Sequence, residues 1–132
     1  MLIIDNIPLS VRVSKNKQIA LNLNVYRNLH YQVNNKAKHA LTDIMRNELV
    51  GCGLIQDFPL KFVYTIYRKT HRAVDLMNIG SVLDKFVCDA LVQMRLLPDD
   101  NTKYIAGVEF IDGGVDKQNP HAKLEIRKYE RM

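Results

Sequence analysis

Three short constellations in the chain carry side chains able to do chemistry on a phosphate. The first is Arg68-Lys69-Thr70-His71-Arg72-Ala73-Val74-Asp75-Leu76-Met77-Asn78, a basic cluster followed by an acid where a helix is expected to begin. Backbone N–H groups at a helix start attract phosphate, and flanking cations reinforce that pull. A carboxylate at Asp75 is placed to share a divalent cation with the phosphate, although a simple helix cap explains it as well. The second constellation is Asn78, Lys85 and Asp89. At 100° per residue they form a polar line opposite the apolar stripe, with Val82 between them. That line is either a solvated Lys–Asp pair or a lysine held over a scissile phosphate with Asp89 fixing its head. The third is Leu97-Pro98-Asp99-Asp100-Asn101, which makes a good turn and also offers the oxygen ligands Mg²⁺ prefers. Taken singly, each constellation has a simpler structural explanation.

The elements that must position these residues are legible in part. Leu2 to Val13 reads as a strand bent or edged at Pro8. Ile19 to Val25 alternates like a strand or extended loop, and the Asn-, Tyr- and Arg-rich stretch Leu21–Tyr31 can hydrogen-bond phosphates and stack on bases. Asn34 and Asn35 are candidate caps for a helix with apolar residues from Ala37 to Leu49, stopped at Gly51-Cys52-Gly53. Leu60 to Tyr67 is a strong strand. Ile79, Leu83, Phe86, Val87, Ala90 and Met94 define a second helix, closed by Pro98. Ile105–Ile111 and Ala122–Tyr129 read as two more strands, joined by a turn-rich connection. The expected fold is one α/β (α+β) domain over residues 1–132, with two main helices on a mixed sheet in the order strand, helix, strand, helix, strand, strand.

Composition narrows the function classes. With 132 residues, 47% hydrophobic and 25% charged, the chain fits one globular domain rather than a disordered tail. No apolar run reaches the length of a membrane span and no signal-peptide layout is present, so a non-membrane, cytoplasmic protein is expected. Cys52 and Cys88 read as reduced thiols. The net charge of +5 is concentrated: residues 1–46 hold seven bases against Asp5 and Asp43, whereas the rest is neutral. A basic N-terminal third on a neutral body suits a polyanion, nucleic acid above all.

Together, Asp75-x-x-Asn78, then Lys85-Phe86-x-x-Asp89-Ala90-Leu91-Val92, then Leu97-Pro98-Asp99-Asp100-Asn101-x-Lys103-Tyr104-Ile105 resemble the pattern of RusA-type Holliday junction resolvases. These are small homodimeric endonucleases common in phages and prophages, and the match covers about a quarter of the chain. The resemblance implies Mg²⁺-dependent (alternatively Mn²⁺-dependent) hydrolysis of phosphodiesters in four-way DNA junctions, in recombination, repair or phage DNA processing. It implies metal ligands at Asp75 and at Asp99 or Asp100, with Asp100 preferred, and a catalytic lysine at Lys85. DNA contacts are expected from Lys15, Lys17, Arg27, His30, Arg68, Lys69, His71, Arg72 and Asn78. Two departures stand out: Met77 occupies the family's second acid position, and Asn78 and Lys85 lie about one helical turn further apart. Methionine cannot replace a carboxylate on hard Mg²⁺, so Asp84 or Asp89 is a candidate substitute, or the protein binds DNA without cutting it.

The helix from Asn78 to about Arg95 spans ~25 Å, which sets Asp75 and Asp100 at opposite ends. Length alone therefore suggests a site completed across a homodimer, whose two-fold symmetry also suits paired cuts. Two other readings compete. A sheet-based RNA or single-strand binder would use Tyr26, Tyr31, Tyr64 and Tyr67, yet Tyr64 and Tyr67 point to opposite faces of any regular strand. An interaction protein with incidental charge is the plainest reading.

Overall fold

A computed structural model describes residues 1–130 of the chain. Strand β1 (Leu2–Pro8) is followed by a hairpin, β2 (Ser10–Ser14) and β3 (Lys17–Ala20), and by helices α1 (Leu23–Asn28) and α2 (Tyr31–Glu48). Then come β4 (Leu60–Arg68), α3 (Leu76–Gln93), β5 (Ile105–Val115) and β6 (His121–Lys128). The main sheet has the order β1-β6-β4-β5, in which only β4 and β5 are parallel. Parallel neighbours require a crossover, and α3 supplies it. The α+β class is as expected, with a mixed sheet and helices packed against it.

Alternation sets the core. In β4, Leu60, Phe62, Tyr64 and Ile66 are buried, and in β6 Ala122, Leu124 and Ile126 are buried in the same cluster as Leu41 and Met45 of α2 and Leu83 and Val87 of α3. The other sheet face carries Lys61, Tyr67, Lys123, Glu125 and Arg127, tied by ion pairs such as Lys61–Glu109 at 3.2 Å. Tyr64 and Tyr67 thus lie on opposite faces, and Tyr67 stacks on His121 at 4.6 Å.

Several boundaries differ from the sequence expectation. The N-terminal strand splits at Pro8 into β1 in the main sheet and β2 in the hairpin. The stretch Ile19 to Val25, read as a strand or extended loop, is strand only to Ala20 and then enters α1, because the Asn22 side chain accepts from the Val25 N–H at 2.9 Å and starts a helix. Helix α2 begins at Tyr31, not after Asn34–Asn35, since His30 Nδ1 accepts from the Gln32 N–H at 3.2 Å. Helix α3 ends before Pro98: Arg95 adopts a left-handed φ of 60°, and the Leu96 N–H bonds the Leu91 carbonyl at 3.0 Å. Val82, expected on the polar side, is buried at 2% exposure, because α3 packs on α1 and α2 as well as on the sheet.

Candidate functional site

Helix α3 starts where the crossover from β4 ends. Asp75 is its N-cap, its Oδ1 accepting from the Met77 N–H at 3.0 Å. The preceding loop is held by Arg68. Its guanidinium donates to both Asp112 carboxylate oxygens at 3.2 Å and to the Arg72 carbonyl at 2.7 Å. The Gly114 N–H and Arg68 together hold the Asp112 carboxyl below its ordinary range. Arg68, expected as a DNA contact, also braces this loop: its side chain is only 15% exposed and its donors are engaged. The loop it shapes presents Lys69, His71 and Arg72 to solvent.

From Asp75 a shallow cleft of about 580 Å³ runs between α3 and β5, lined by Met77, Ser81, Asp84, Glu109 and Phe110 among others. Gly80 sets the spacing of these walls. A Cβ there would stand 2.5 Å from the Phe110 ring, so only glycine lets α3 approach β5 this closely.

Asp84 is the unusual group in the cleft. Its Oδ1 accepts from the Tyr64 hydroxyl at 2.7 Å and from the Cys88 thiol at 3.4 Å. Burial raises its pKa, the two hydrogen bonds oppose the rise, and the charge of Asp100 adds to it. Burial, with the Asp84 charge, pushes the Tyr64 hydroxyl and the Cys88 thiol up as well, so both remain protonated donors. Among the described residues, Asp84 Oδ2 and the Asp100 carboxylate accept no hydrogen bond. Asp84 is thus anchored by one oxygen and presents the other.

The charge of Asp100 acts on both Asp84 and Cys88. After α3 the chain turns back on the helix, the Leu97 N–H bonding the Leu91 carbonyl at 3.3 Å. Asp84 lies nine residues beyond Asp75, about 13 Å of helix rise, so those two carboxylates mark separate ends of the cleft. Asp99, the other half of the acid pair, is spent on its own turn, accepting from the Asp100 N–H at 2.7 Å and the Asn101 amide at 3.0 Å.

The remaining expected residues divide. Lys85 is exposed and next to Asp84 in the chain, but Asp89 does not hold it: Asp89 pairs with Lys38 of α2 at 3.3 Å, and Lys38 also covers the Phe86 ring. Asn78 is half-buried in the first turn of α3. Met77 lies between Asp75 and Ser81 on the cleft wall and is 55% exposed. Lys15, Lys17 and Arg27 are exposed, and His30 is a helix cap. Tyr64 and Cys88 were not foreseen as partners of Asp84. The one sequence signal was the i,i+4 spacing of Asp84 and Cys88; the Tyr64 contact is set by the packing of α3 on β4.

The donor chemistry of Asp84 and Asp100 fits a hard divalent cation. Mg²⁺ is commonly bound through one or two carboxylates, with water and substrate phosphate filling its other positions. Among the described residues, no three His, Cys, Asp or Glu side chains stand together as a ready-made metal cage. No helix among them is long and apolar enough to cross a membrane. No family model matches the chain, and no curated protein matches it.

Proposed function

We propose that the protein is a Mg²⁺-dependent, structure-specific endodeoxyribonuclease acting on four-way DNA junctions, with Asp84 in the role that Met77 vacates. The observation that carries this reading is the partly buried Asp84 carboxylate, fixed by Tyr64 and Cys88 and within the electrostatic reach of Asp100, in a cleft that begins at Asp75. Holding a carboxylate in a poorly solvated place beside a second one is costly unless a cation is to be received there.

Asp84 and Asp100 would hold the ion, which supplies charge neutralisation at the phosphate and orientation of the attacking water. Tyr64 and Cys88 keep Asp84 in one rotamer as donors that do not titrate near neutral pH. Lys85, exposed one residue along α3, adds positive charge toward the phosphate as negative charge builds on it. Lys69, His71 and Arg72, on the loop braced by Arg68, hold the strand where it enters the cleft. A homodimer supplies the second site that paired cuts require.

The test is a synthetic four-way junction incubated with the protein, with and without Mg²⁺, beside Asp75→Asn and Asp100→Asn. Cleavage is expected only with the metal. It should fall at least about a hundredfold in Asp100→Asn, the range seen when an electrostatic stabiliser is lost. Met77→Asp, which restores an acid to the cleft wall, is expected to raise the rate. Metal-independent cleavage, or full activity in both acid variants, would overturn the assignment. Intact, salt-sensitive junction binding without cleavage by the parent would instead favour a non-cutting DNA binder of the same fold, the second reading that Met77 motivates.

A further inference from the structure

A second cavity, of about 540 Å³, opens on the other side of the α3 start, between the β2–β3 hairpin and the Arg68–Val74 loop. Leu9, Leu21, Val74 and Ile79 give it an apolar floor. Gln18, Asn22 and Asn119 put three amide side chains in its wall; Arg68 and Lys69 are its ionic groups, and among the described residues no acid lines it. The amides are only half used. Gln18 Nε2 donates to Ser10 Oγ at 2.6 Å, Asn22 Oδ1 accepts from the Val25 N–H, and Asn119 Nδ2 donates to Asn6 at 3.3 Å. Among the described residues that leaves two carbonyl oxygens and one NH₂ group to recognise a ligand.

A ligand that suits such a cavity has an apolar body, mixed donors and acceptors on its edge, and an attached negative charge. A nucleotide has all three. The cations around the cavity favour one that belongs to a strand. Arg12 lies on the same hairpin face as Gln18, its strand partner, while Lys15 and Lys17 at the hairpin tip and His71 and Arg72 on the loop are exposed for neighbouring phosphates. We propose that this cavity receives one unpaired nucleotide of the bound DNA, base inward and phosphate toward Lys69. The inference rests on the DNA-processing reading above and adds how unpaired or branched DNA is told from plain duplex. Extruding a base is cheapest where it is already unpaired, so the cavity would favour such sites.

The experiment uses the whole chain and a forked DNA with 2-aminopurine at the first unpaired nucleotide. Anisotropy of a fluorescein label on the same DNA reports binding separately. Among the described residues no aromatic ring lines the cavity to quench the base, so 2-aminopurine fluorescence should rise about threefold or more on binding. Ala20→Trp, which fills the cavity from the exposed face of β3, and Gln18→Leu, which removes one amide, should each cut that rise by more than half while the fork still binds. If the fork binds but fluorescence does not rise, or rises equally in both variants, the cavity proposal fails and the DNA reading survives. If no DNA binds even at low salt, both fall.

Discussion

Asp84 combines two properties that stability alone does not favour in one side chain: burial, and a second carboxylate nearby. Its raised pKa means that the folded state resists its ionisation. The resulting penalty is absent below the unfolded carboxylate pKa and grows as pH rises through the folded value. Asp84→Asn keeps an oxygen for Tyr64 and Cys88 and removes the charge. Its thermal midpoint should exceed the parent's at pH 7.5, with the difference shrinking toward pH 4, as followed by circular dichroism. A midpoint below the parent's at neutral pH would show that the carboxylate is needed for the fold. At this scale the sequence was informative about identity and poor about partnership. The resemblance prefers Asp100 to Asp99, and Asp99 is engaged in the bonds of its own turn. Asp89, His30 and Arg68 each meet a partner or backbone group that residue type alone does not announce: Lys38, the Gln32 N–H and Asp112.

Helix α3 and strand β5 form the cleft walls, and Gly80 is where they meet. Alanine is ordinarily better than glycine inside a helix by about 1 kcal/mol. Here the added methyl would strike Phe110, so Gly80→Ala should instead destabilise by about 1–3 kcal/mol, the usual cost of overpacking. Urea denaturation with an unchanged m-value measures this directly. A stabilised Gly80→Ala would mean that the helix and strand sit further apart. Both long helices and the strands of the main sheet were visible in the periodicity of apolar residues. Helix α1 was not, since six residues carry too little pattern to outweigh the alternation of Ile19 to Val25. The burial of Val82 was equally hidden: a single 100° stripe describes a helix with one packed face, whereas α3 is packed on two.

Across the whole molecule, the fold draws the β2–β3 hairpin of the basic N-terminal third and the loop before α3 together around one cavity, on the other side of the α3 start from the acidic cleft. The charge asymmetry in the sequence pointed to a polyanion-binding face, but not to its place, because hairpin and loop are some fifty residues apart in the chain. Lys15 and Lys17 sit at the hairpin tip, away from both cavity and cleft linings. Replacing both with Gln should weaken DNA binding and lower the slope of log K against log salt by about 1.8, at about 0.9 for each phosphate that is no longer neutralised. An unchanged slope would place the DNA path elsewhere.

The most direct test of the central claim is the single-turnover rate at which a saturating excess of protein cuts a four-way junction in Mg²⁺, parent against Asp84→Asn. The predicted result is a fall of at least about a hundredfold with junction affinity retained, as when an electrostatic stabiliser of the reaction is lost without loss of substrate binding. A variant that cuts within about threefold of the parent, a difference of less than 1 kcal/mol, would contradict it.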